Sequence, residues 1–475
     1  MEQQQCNANF LRDTEPHPRG RNRIGRKIRA CFINPPIRDF YTTSIRRQPL
    51  GLLYIMASVR DAGHEIEFIN GHSRKRRIIP LPETFSYLKK YMETHDRRLA
   101  FPFPGYAHYG LSFDEIGRRM AHADADAFFI PSQFTPYHGE SGILIAMARR
   151  IRPEAPVITG GHHAALYPEY MLRDAGADFV VCGAGEESSV ALLDCIMKGD
   201  DPAGVPGIAY RNGASIAMTG RHTGENIDSI PLPARDLLRP GDFSAYRRMA
   251  VSMIASRGCP NRCSFCSVRT IWGDRYLVRS VDSVIAEIAE CVERFGADMV
   301  NFEDDNLFHS RERAAALLDG LISFQKKSGR RLDLAAMNGI SIEHLDDDII
   351  VQMRRAGFSE LNISLMTRSA ALQESHGRPF DSGQFAMMAR AARRRGMNVR
   401  AYFILGLPDQ TAGEARETIA FLRDLDVKFF PSVYYNVNAP QDEWPLQRSS
   451  AFYNESDTMT RDDMVGLFNE CMKPR

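Results

Sequence analysis

"MAVSMIASRGCPNRCSFCSVR", residues 249–269, joins an apolar run to three cysteines with the spacing C-x3-C-x2-C. The first eight residues are mostly apolar and predict a buried β-strand. Cys259, Cys263 and Cys266 follow on one short loop at its carboxyl end. Three interpretations compete for this loop, namely a disulfide, a zinc site and an iron–sulfur cluster, and each requires different surroundings.

The three interpretations differ in their demand for a fourth ligand. A disulfide leaves one of three cysteines over and is rare in a reducing compartment. Zinc requires a fourth protein ligand, but the next candidates are His309 and Cys291, and Cys291 falls on the apolar side of a predicted helix. A [4Fe–4S] cluster held by three thiolates leaves one iron open to an exogenous ligand. Pro260 and Arg262 make the loop stiff and electropositive, which favours thiolates, so we favour the cluster.

The whole chain has the composition of a globular protein. Its 475 residues exceed one ordinary core and predict two or three domains. No apolar run approaches the length of a membrane span and no signal core follows Met1, so we expect a cytoplasmic protein without a membrane span. The net charge is +1, so nucleic acid is not expected as a partner. The six remaining cysteines stand singly and are typical of core thiols: Cys6, Cys31, Cys182, Cys195, Cys291 and Cys471.

Strands and helices alternate on both sides of a connector. Residues 27–215 contain five apolar strands separated by helices, with an insertion at 72–123, and predict a doubly wound parallel, Rossmann-like sheet. Residues 216–247 are rich in turn formers and predict a linker. Residues 248–437 contain six strands with helices between them, and predict a partial (β/α)6 barrel with its chemistry at the carboxyl ends of the strands. Residues 1–26 form a basic arm, and 438–475 an irregular tail with one helix.

The glycine loop "GGHHA" is the most distinctive of the loops that follow the strands of the first domain. Gly160 and Gly161 permit a close approach of the backbone to a bulky ligand. His162 and His163 are adjacent, so their side chains point in opposite directions and at most one faces a cofactor. Ligands of such sheets bind beyond the carboxyl ends of the strands, and we therefore expect a binding site at this loop.

The cysteine spacing on the first strand of a partial barrel resembles the radical S-adenosylmethionine (SAM) superfamily. Phe265 before the third cysteine, "NFEDDNLF" after the second strand and "YFILGLPDQT" at the fifth are similar to its motifs. The resemblance implies that Cys259, Cys263 and Cys266 bind a [4Fe–4S] cluster whose open iron is chelated by SAM. It also implies an electron donor such as flavodoxin or ferredoxin, and reductive cleavage of SAM to methionine and a 5′-deoxyadenosyl radical.

The same resemblance assigns further residues to SAM. Acidic side chains after the second strand are implied to accept hydrogen bonds from the SAM ammonium, Gly406 to lie near adenine, and Asn338 and Ser364 to contact the ribose or carboxylate. The implied SAM contacts are Phe265, Glu303, Asp304, Asp305, Asn338, Ser364 and Gly406. Two segments depart from the family pattern: "LMTRSAAL" after strand four, with Met366, and "NVNAPQDEW" after strand six.

The first domain resembles the cobalamin-binding domains that precede some radical SAM barrels. That subclass includes C- and P-methyltransferases and the anaerobic magnesium-protoporphyrin ester cyclase. The implied cobalamin contacts are Pro35, Ser132, Gly160, Gly161, His162 and Gly183. The histidine-donating D-x-H-x-x-G signature is absent from the sequence, so no protein histidine is expected below cobalt.

The resemblances together imply an enzyme. It would cleave SAM and, with cobalamin, methylate or otherwise modify an unactivated carbon of a small-molecule or natural-product substrate. A cobalamin-independent radical SAM enzyme of the cyclase or methylthiotransferase type, and an iron–sulfur sensor, are the alternatives.

Overall fold

The computed structural model describes residues 27–42, 47–224 and 226–472. The predicted basic arm at 1–26 and Cys6 lie outside the described residues. Two α/β units follow one another along the chain, as predicted, and the fold class is confirmed. One continuous apolar cluster includes Leu53 of the first unit and Val251 and Phe302 of the second, so the two units share part of their core.

Within the described residues, ten strands belong to the first unit. They are β1 (Arg29–Asn34), β2 (Ile37–Asp39), β3 (Glu65–Asn70), β4 (Arg76–Ile78), β5 (Ala107–Tyr109), β6 (Ala127–Phe129), β7 (Val157–Thr159), β8 (Phe179–Val181), β9 (Ile208–Asn212) and β10 (Ser215–Met218). The main sheet has the order β10-β9-β8-β7-β6-β1-β3, and its strands from β3 to β8 are parallel. The order reverses between β1 and β6, which makes the loops after these two strands the expected walls of a ligand crevice.

Seven α-helices of the described segments connect these strands. They are α1 (Leu50–Asp61), α2 (Lys89–Met92), α3 (Phe113–His122), α4 (His138–Ile151), α5 (His162–Leu166), α6 (Pro168–Arg173) and α7 (Gly185–Lys198). The predicted insertion contributes β4 and β5, which pair with β2 in a small antiparallel sheet, and it also contributes residues to an aromatic cluster. In that cluster the ring of Phe40 lies 5.3 Å from Phe85, 5.0 Å from Phe101 and 5.1 Å from Tyr106.

In the second unit, the part of the chain that the structure describes contains nine strands. They are β11 (Ser244–Ala245), β12 (Arg248–Met253), β13 (Ser256–Arg257), β14 (Leu277–Val278), β15 (Met299–Phe302), β16 (Asp333–Ala335), β17 (Glu360–Met366), β18 (Asn398–Leu405) and β19 (Lys428–Val433). Strands β12, β15 and β16 pair in parallel, as do β17, β18 and β19. Single bridges such as Ile340 to Ile363 join the two groups. The six predicted barrel strands are therefore all present, in chain order.

Helices alternate with these strands, and one more follows them. They are α8 (Val268–Trp272), α9 (Val281–Phe295), α10 (Arg311–Ser328), α11 (Asp347–Ala356), α12 (Ala370–Ser375), α13 (Ser382–Arg394), α14 (Ala412–Asp424) and α15 (Arg461–Met472). Helix α9 shows how the sequence sets these boundaries, because Ser280 caps its amino end and Gly296 ends it in a left-handed conformation. Among the described helices, none has both the length and the apolar character needed to cross a bilayer.

The edge of the open barrel contacts the first unit. Gln48, which precedes α1, donates from Nε2 to the carbonyl of Ala250 at 2.8 Å and accepts at Oε1 from the amide of Ser252 at 3.0 Å. Its carboxamide thus occupies the hydrogen-bonding edge of β12 that a further barrel strand would use. The first unit therefore covers one side of the barrel opening.

Candidate active site

The cysteine loop joins β13 to α8 and is tightly held at both ends. Gly258 has φ +86°, and a Cβ there would lie 2.3 Å from the carbonyl oxygen of Arg275, so glycine alone permits this approach. In the middle of the loop, the amide of Ser264 donates to the carbonyl of His376 at 3.0 Å, and the Ser264 hydroxyl lies 2.7 Å from Nδ1 of His376. These contacts position the three cysteines before any cofactor binds.

The three cysteine thiols are free. Desolvation raises the pKa of the Cys259 and Cys263 thiols, and the nearby Arg378 guanidinium opposes that rise. Across the described residues, no three histidine, cysteine or carboxylate side chains are arranged around the position of a single metal ion. A [4Fe–4S] cluster takes each thiolate on a different iron, and three free thiols on one constrained loop fit it by donor chemistry.

Glu303 lies at the barrel mouth directly after β15. Its Oε1 accepts a hydrogen bond from Nδ2 of Asn301 at 2.6 Å and from the hydroxyl of Ser252 at 3.4 Å. Asn338 donates from Nδ2 to the carbonyls of Glu303 at 2.9 Å and Asp304 at 3.3 Å, so this predicted residue holds the acidic turn from the next strand end. The half-buried Glu303 carboxylate is thus oriented by two neighbours in the barrel.

Asp304 faces the cysteine loop and is only 2% exposed. Its carboxylate accepts from the amide of Ala255, at 3.1 Å to each oxygen, and from the hydroxyl of Ser256. Burial raises the pKa of Asp304 to about 7, and the hydrogen bond from Ser256 partly offsets that effect. Asp305, the next residue, accepts from the amide of Gly258 at 3.3 Å. Both carboxylates therefore anchor the chain that leads into Cys259.

The other predicted SAM residues are spread around the mouth. Ser364 is exposed on β17, just before a bulge at which Met366 has φ +61°. Phe265 is half-buried, with its ring 6.1 Å from that of His376. Gly406 follows β18, but a Cβ there would lie 2.9 Å from Sδ of Met464. The missing side chain of Gly406 therefore makes room for Met464 of α15.

Polar residues inside the barrel were missed by the sequence reasoning. Tyr402 donates to Oδ1 of the buried Asn362 at 3.2 Å, and Asn301 orients Glu303 as described above. The sequence pattern could have revealed them, because polar and apolar residues alternate along β17 and β18. Asn362 and Tyr402 occupy the alternate positions that face away from the helices. This row gives the barrel interior a polar lining.

The loops after β6 and β7 form the predicted edge of the first sheet. The amide of Ser132 donates to the carbonyl of Gly160 at 2.8 Å. Gly161 has φ +98°, and a Cβ there would lie 2.9 Å from both the carbonyl of Ser132 and Oε1 of Gln133. The hydroxyl of Ser132 is buried and has no partner within the described part of the chain. The close backbone contacts of this loop and the unpartnered hydroxyl of Ser132 fit a ligand with polar substituents, such as a corrin.

Two more predicted residues flank this edge. Pro35 follows β1 on the other wall of the crevice. Gly183, after β8, forms a parallel bridge with His222. Phe134, on the loop after β6, is a large exposed aromatic side chain and offers apolar area to a ligand at this edge.

The adjacent histidines of the glycine loop have different surroundings. His163 is fully buried, with Nδ1 3.2 Å from the hydroxyl of Thr135, and burial lowers its pKa to about 3. Burial also lowers the pKa of His162, and the charge of Asp305 opposes that change. His162 thus lies near the acidic turn of the barrel mouth, whereas His163 is part of the core of the first unit.

A buried ion pair also joins the two units. Glu186, at the start of α7, accepts two hydrogen bonds from the guanidinium of Arg257, one of them 3.1 Å from Nη1 to Oε2. The same guanidinium lies 5.5 Å from the ring centroids of Tyr54 and Trp272. The sequence patterns did not predict this role of Glu186.

Comparison with known proteins follows the same division of the chain. Residues 253–422 match the model of the radical SAM superfamily, and residues 104–193 match that of the B12 binding domain. An uncharacterised methyltransferase of Pyrococcus horikoshii is 25% identical over 80% of this chain and 74% of its own length. Cytidylyl-2-hydroxyethylphosphonate methyltransferase of Streptomyces wedmorensis is 25% identical over 85% of this chain and 77% of its own.

A solved structure shares the arrangement of both units. The radical SAM methyltransferase TsrM from Kitasatospora setae, determined with cobalamin and a [4Fe–4S] cluster, has a TM-score of 0.65 to this chain at 17% identity. The match covers 86% of this chain and 75% of TsrM. The likeness extends over the first sheet and the barrel together, and at this identity it establishes the shared fold.

Proposed function

Because this chain belongs to the B12-binding radical SAM superfamily, we propose that it is a cobalamin-dependent radical SAM methyltransferase acting on an unactivated carbon of a small-molecule or natural-product substrate. The observation that carries the proposal is the approach of two loops. His162 of the glycine loop lies near Asp305 at the barrel mouth, and the Asp305 carboxylate opposes the fall in the pKa of His162 that burial causes. Helix α5, which begins at His162, also packs against α8, which follows Cys266. A group bound at each loop would therefore meet the other.

The cysteine loop would hold the cluster. Cys259, Cys263 and Cys266 supply the three thiolates, and Asp304 and Arg257 fix the strand that precedes them. Metal binding needs deprotonated thiols, so the raised pKa of Cys259 and Cys263 means that loading releases protons.

SAM would bind across the barrel mouth. Asp304 is only 2% exposed and accepts from Ala255 and Ser256, whereas Glu303 is half-buried at the barrel mouth, so we assign the SAM ammonium to Glu303. Asn338 holds the turn that carries Glu303, and Ser364 lies exposed on the neighbouring strand. Phe265 and Gly406 complete the predicted set at the cluster loop and the end of β18.

Cobalamin would lie between the loops of the first sheet and the barrel. Gly160 and Gly161 with Ser132 form a backbone cradle, Pro35 and Gly183 border it, and His162 faces the barrel. When bound, the cofactors together supply electron transfer, radical formation and a transferable methyl group, and the chain's residues position them and exclude water. Because D-x-H-x-x-G is absent, bound cob(II)alamin should show no nitrogen splitting from a protein histidine in its paramagnetic resonance spectrum.

The enzyme needs an external reductant, and we propose a flavodoxin or ferredoxin in the cytoplasm. The free state of all eight described cysteines supports a reducing compartment.

The deciding experiment combines cofactor content with product analysis. Protein purified without oxygen from cobalamin-fed cells should contain one cobalt and about four irons per chain, and should convert SAM to methionine and 5′-deoxyadenosine when reduced. Transfer of a deuterated methyl group from labelled SAM to a product identifies methyl transfer. An intact cluster without cobalt would favour the cobalamin-independent enzyme, and an intact cluster that never cleaves SAM would favour a sensor.

A further inference from the structure

The segment after the last barrel strand crosses to the first unit. Residues 437–450, here called the strap, leave the barrel beyond β19. Tyr167, between α5 and α6, donates its hydroxyl to the carbonyl of Val437 at 3.0 Å. A short 3-10 helix, Gln441–Leu446, then lies against the loops of the first sheet. The strap thus connects the barrel with the edge at which cobalamin is proposed to bind.

Trp444 is the centre of this contact and is 4% exposed. Its ring centroid lies 4.3 Å from that of Tyr167, 4.8 Å from His163 and 4.9 Å from Tyr170. Its indole Nε1 donates to the carbonyl of Ala439 at 3.0 Å, so its polar atom is satisfied within the strap. A buried indole whose N–H is hydrogen-bonded contributes a large contact area at low conformational cost.

The indole of Trp444 shields the side chain of His163 from water. His163 is fully buried and uncharged, and its Nε2 has no hydrogen-bond partner among the residues that the structure describes. The two rings are nearly perpendicular, at 85°. Removing the indole would leave a cavity next to an unpartnered ring nitrogen, which favours rearrangement of the loop or entry of water.

Helix α5 cannot hold this conformation by itself. It has five residues, and a helix this short is not stable without tertiary contacts. Trp444 packs against His163 on this helix, and the helix also packs against α8 of the barrel. The glycine loop is therefore held between the strap and the helix that follows the cysteine loop.

The strap also contacts the other two loops of the crevice. Ser450 donates to Oδ1 of Asp39, after β1, at 2.7 Å, and Tyr137, after β6, donates to Oδ2 of the same carboxylate at 2.6 Å. Arg448 donates to the carbonyl of Arg38 at 3.2 Å, and its guanidinium lies 5.4 Å from the ring of Tyr137. Asp39 therefore connects the strap with the loops after β1 and β6, which line the crevice.

We propose that Trp444 is a positioning residue: it fixes the glycine loop in the conformation that binds cobalamin and aligns it with the barrel mouth. The inference rests on the proposed cobalamin function. Trp444 acts through His163 and α5, and it need not touch the cofactor. Its loss should affect cobalamin and the steps that need it, but leave the cluster and the cleavage of SAM in place.

The test compares three variants of the full-length protein. Trp444→Ala removes the indole, Trp444→Phe keeps an aromatic ring, and Phe468→Ala truncates a buried residue of the same tail that packs on Phe103 and Phe452 instead. Binding of hydroxocobalamin is titrated spectrophotometrically, iron content is measured after reconstitution, and 5′-deoxyadenosine is quantified without substrate. A urea unfolding curve of each variant confirms that it is folded at the assay temperature.

We expect Trp444→Ala to raise the cobalamin dissociation constant at least about tenfold, Trp444→Phe to recover most of the affinity, and Phe468→Ala to leave it unchanged. Iron content and 5′-deoxyadenosine formation should match the wild type in all three. Wild-type affinity in Trp444→Ala, or equal losses in Trp444→Ala and Phe468→Ala, would overturn the inference. If Trp444→Ala does not fold, Trp444→Phe and Tyr167→Phe, which removes only the hydroxyl bonded to Val437, must show a smaller loss of the same kind. A wild-type protein that binds no cobalamin would instead contradict the proposed function.

Discussion

The carboxylate of Glu186 holds the guanidinium of Arg257 at 3.1 Å from Oε2 to Nη1, two residues before the first cysteine of the cluster loop. The two residues are 71 positions apart in the chain and both are buried. One belongs to the first sheet's helix α7, the other to β13 of the barrel. This buried ion pair is therefore one of the contacts that connect the first sheet with the cysteine loop.

Breaking this pair should destabilise the protein more than an exposed pair does. Glu186→Gln leaves the Arg257 charge buried without its partner, and we expect a loss of about 3–5 kcal/mol in the free energy of unfolding. The matched control is Glu169→Gln, because Glu169 pairs with Arg173 on an exposed helix surface and such pairs contribute about 0–1 kcal/mol. Urea unfolding of the iron-free protein measures both. Equal losses would contradict the structural role of the pair.

The iron content should depend on the three loop cysteines and not on a core cysteine. Replacing Cys259, Cys263 and Cys266 together by alanine should abolish iron binding after reconstitution. Cys291→Ala should retain it, because Cys291 is fully buried under Arg235 and Glu287, and burial raises its pKa to about 11. Iron and sulfide assays with the visible spectrum decide the matter. Full iron content in the triple variant would exclude the assigned ligands.

Substitutions of Glu303 and Asp304 should differ in their effects on SAM binding and on the stability of the cysteine loop. Glu303→Gln removes the charge at the barrel mouth but keeps an oxygen for Asn301, so SAM should bind more weakly, by about tenfold, with iron content unchanged. Asp304→Ala leaves the buried amide of Ala255 and hydroxyl of Ser256 without their acceptor, and should reduce iron retention as well. Equilibrium dialysis with SAM and iron analysis give the two readouts. The same pattern in both variants would reject the distinction.

The stability contributed by Asp304 should fall as the pH rises. Its pKa of about 7 in the folded protein lies above the ordinary carboxyl value of 3.8, so the folded state keeps a proton that the unfolded state releases. That contribution is full below about pH 4 and declines until about pH 7. Asp304→Asn carries no such proton. The difference in unfolding free energy between wild type and Asp304→Asn should therefore decrease between pH 5 and 7 in iron-free protein. A difference independent of pH would show that Asp304 is ionised when folded.

Local patterns were sufficient where one strand or one loop carries the information. The strand patterns predicted all six barrel strands and the five parallel strands of the first sheet. Strands such as β1 and β12 are buried on both faces and have a continuous apolar signature, whereas β18 alternates between apolar and polar residues. The predicted insertion was different: its aromatic residues form a core with the tail, and Tyr91 donates to Oδ1 of Asp462 at 2.5 Å. Contacts between segments so far apart in the chain have no local period that would reveal them.

The sequence by itself determined which chemistry the loops can support. The spacing of Cys259, Cys263 and Cys266 limits the loop to a few metal groups, and the adjacent glycines permit a close backbone approach. Only the tertiary structure decided how these loops meet. Glu186 with Arg257, His162 with Asp305, and Trp444 on His163 each join residues from different elements, and pairing energies of this kind depend on distance and burial. Neither quantity exists until the sheet and the barrel have packed together.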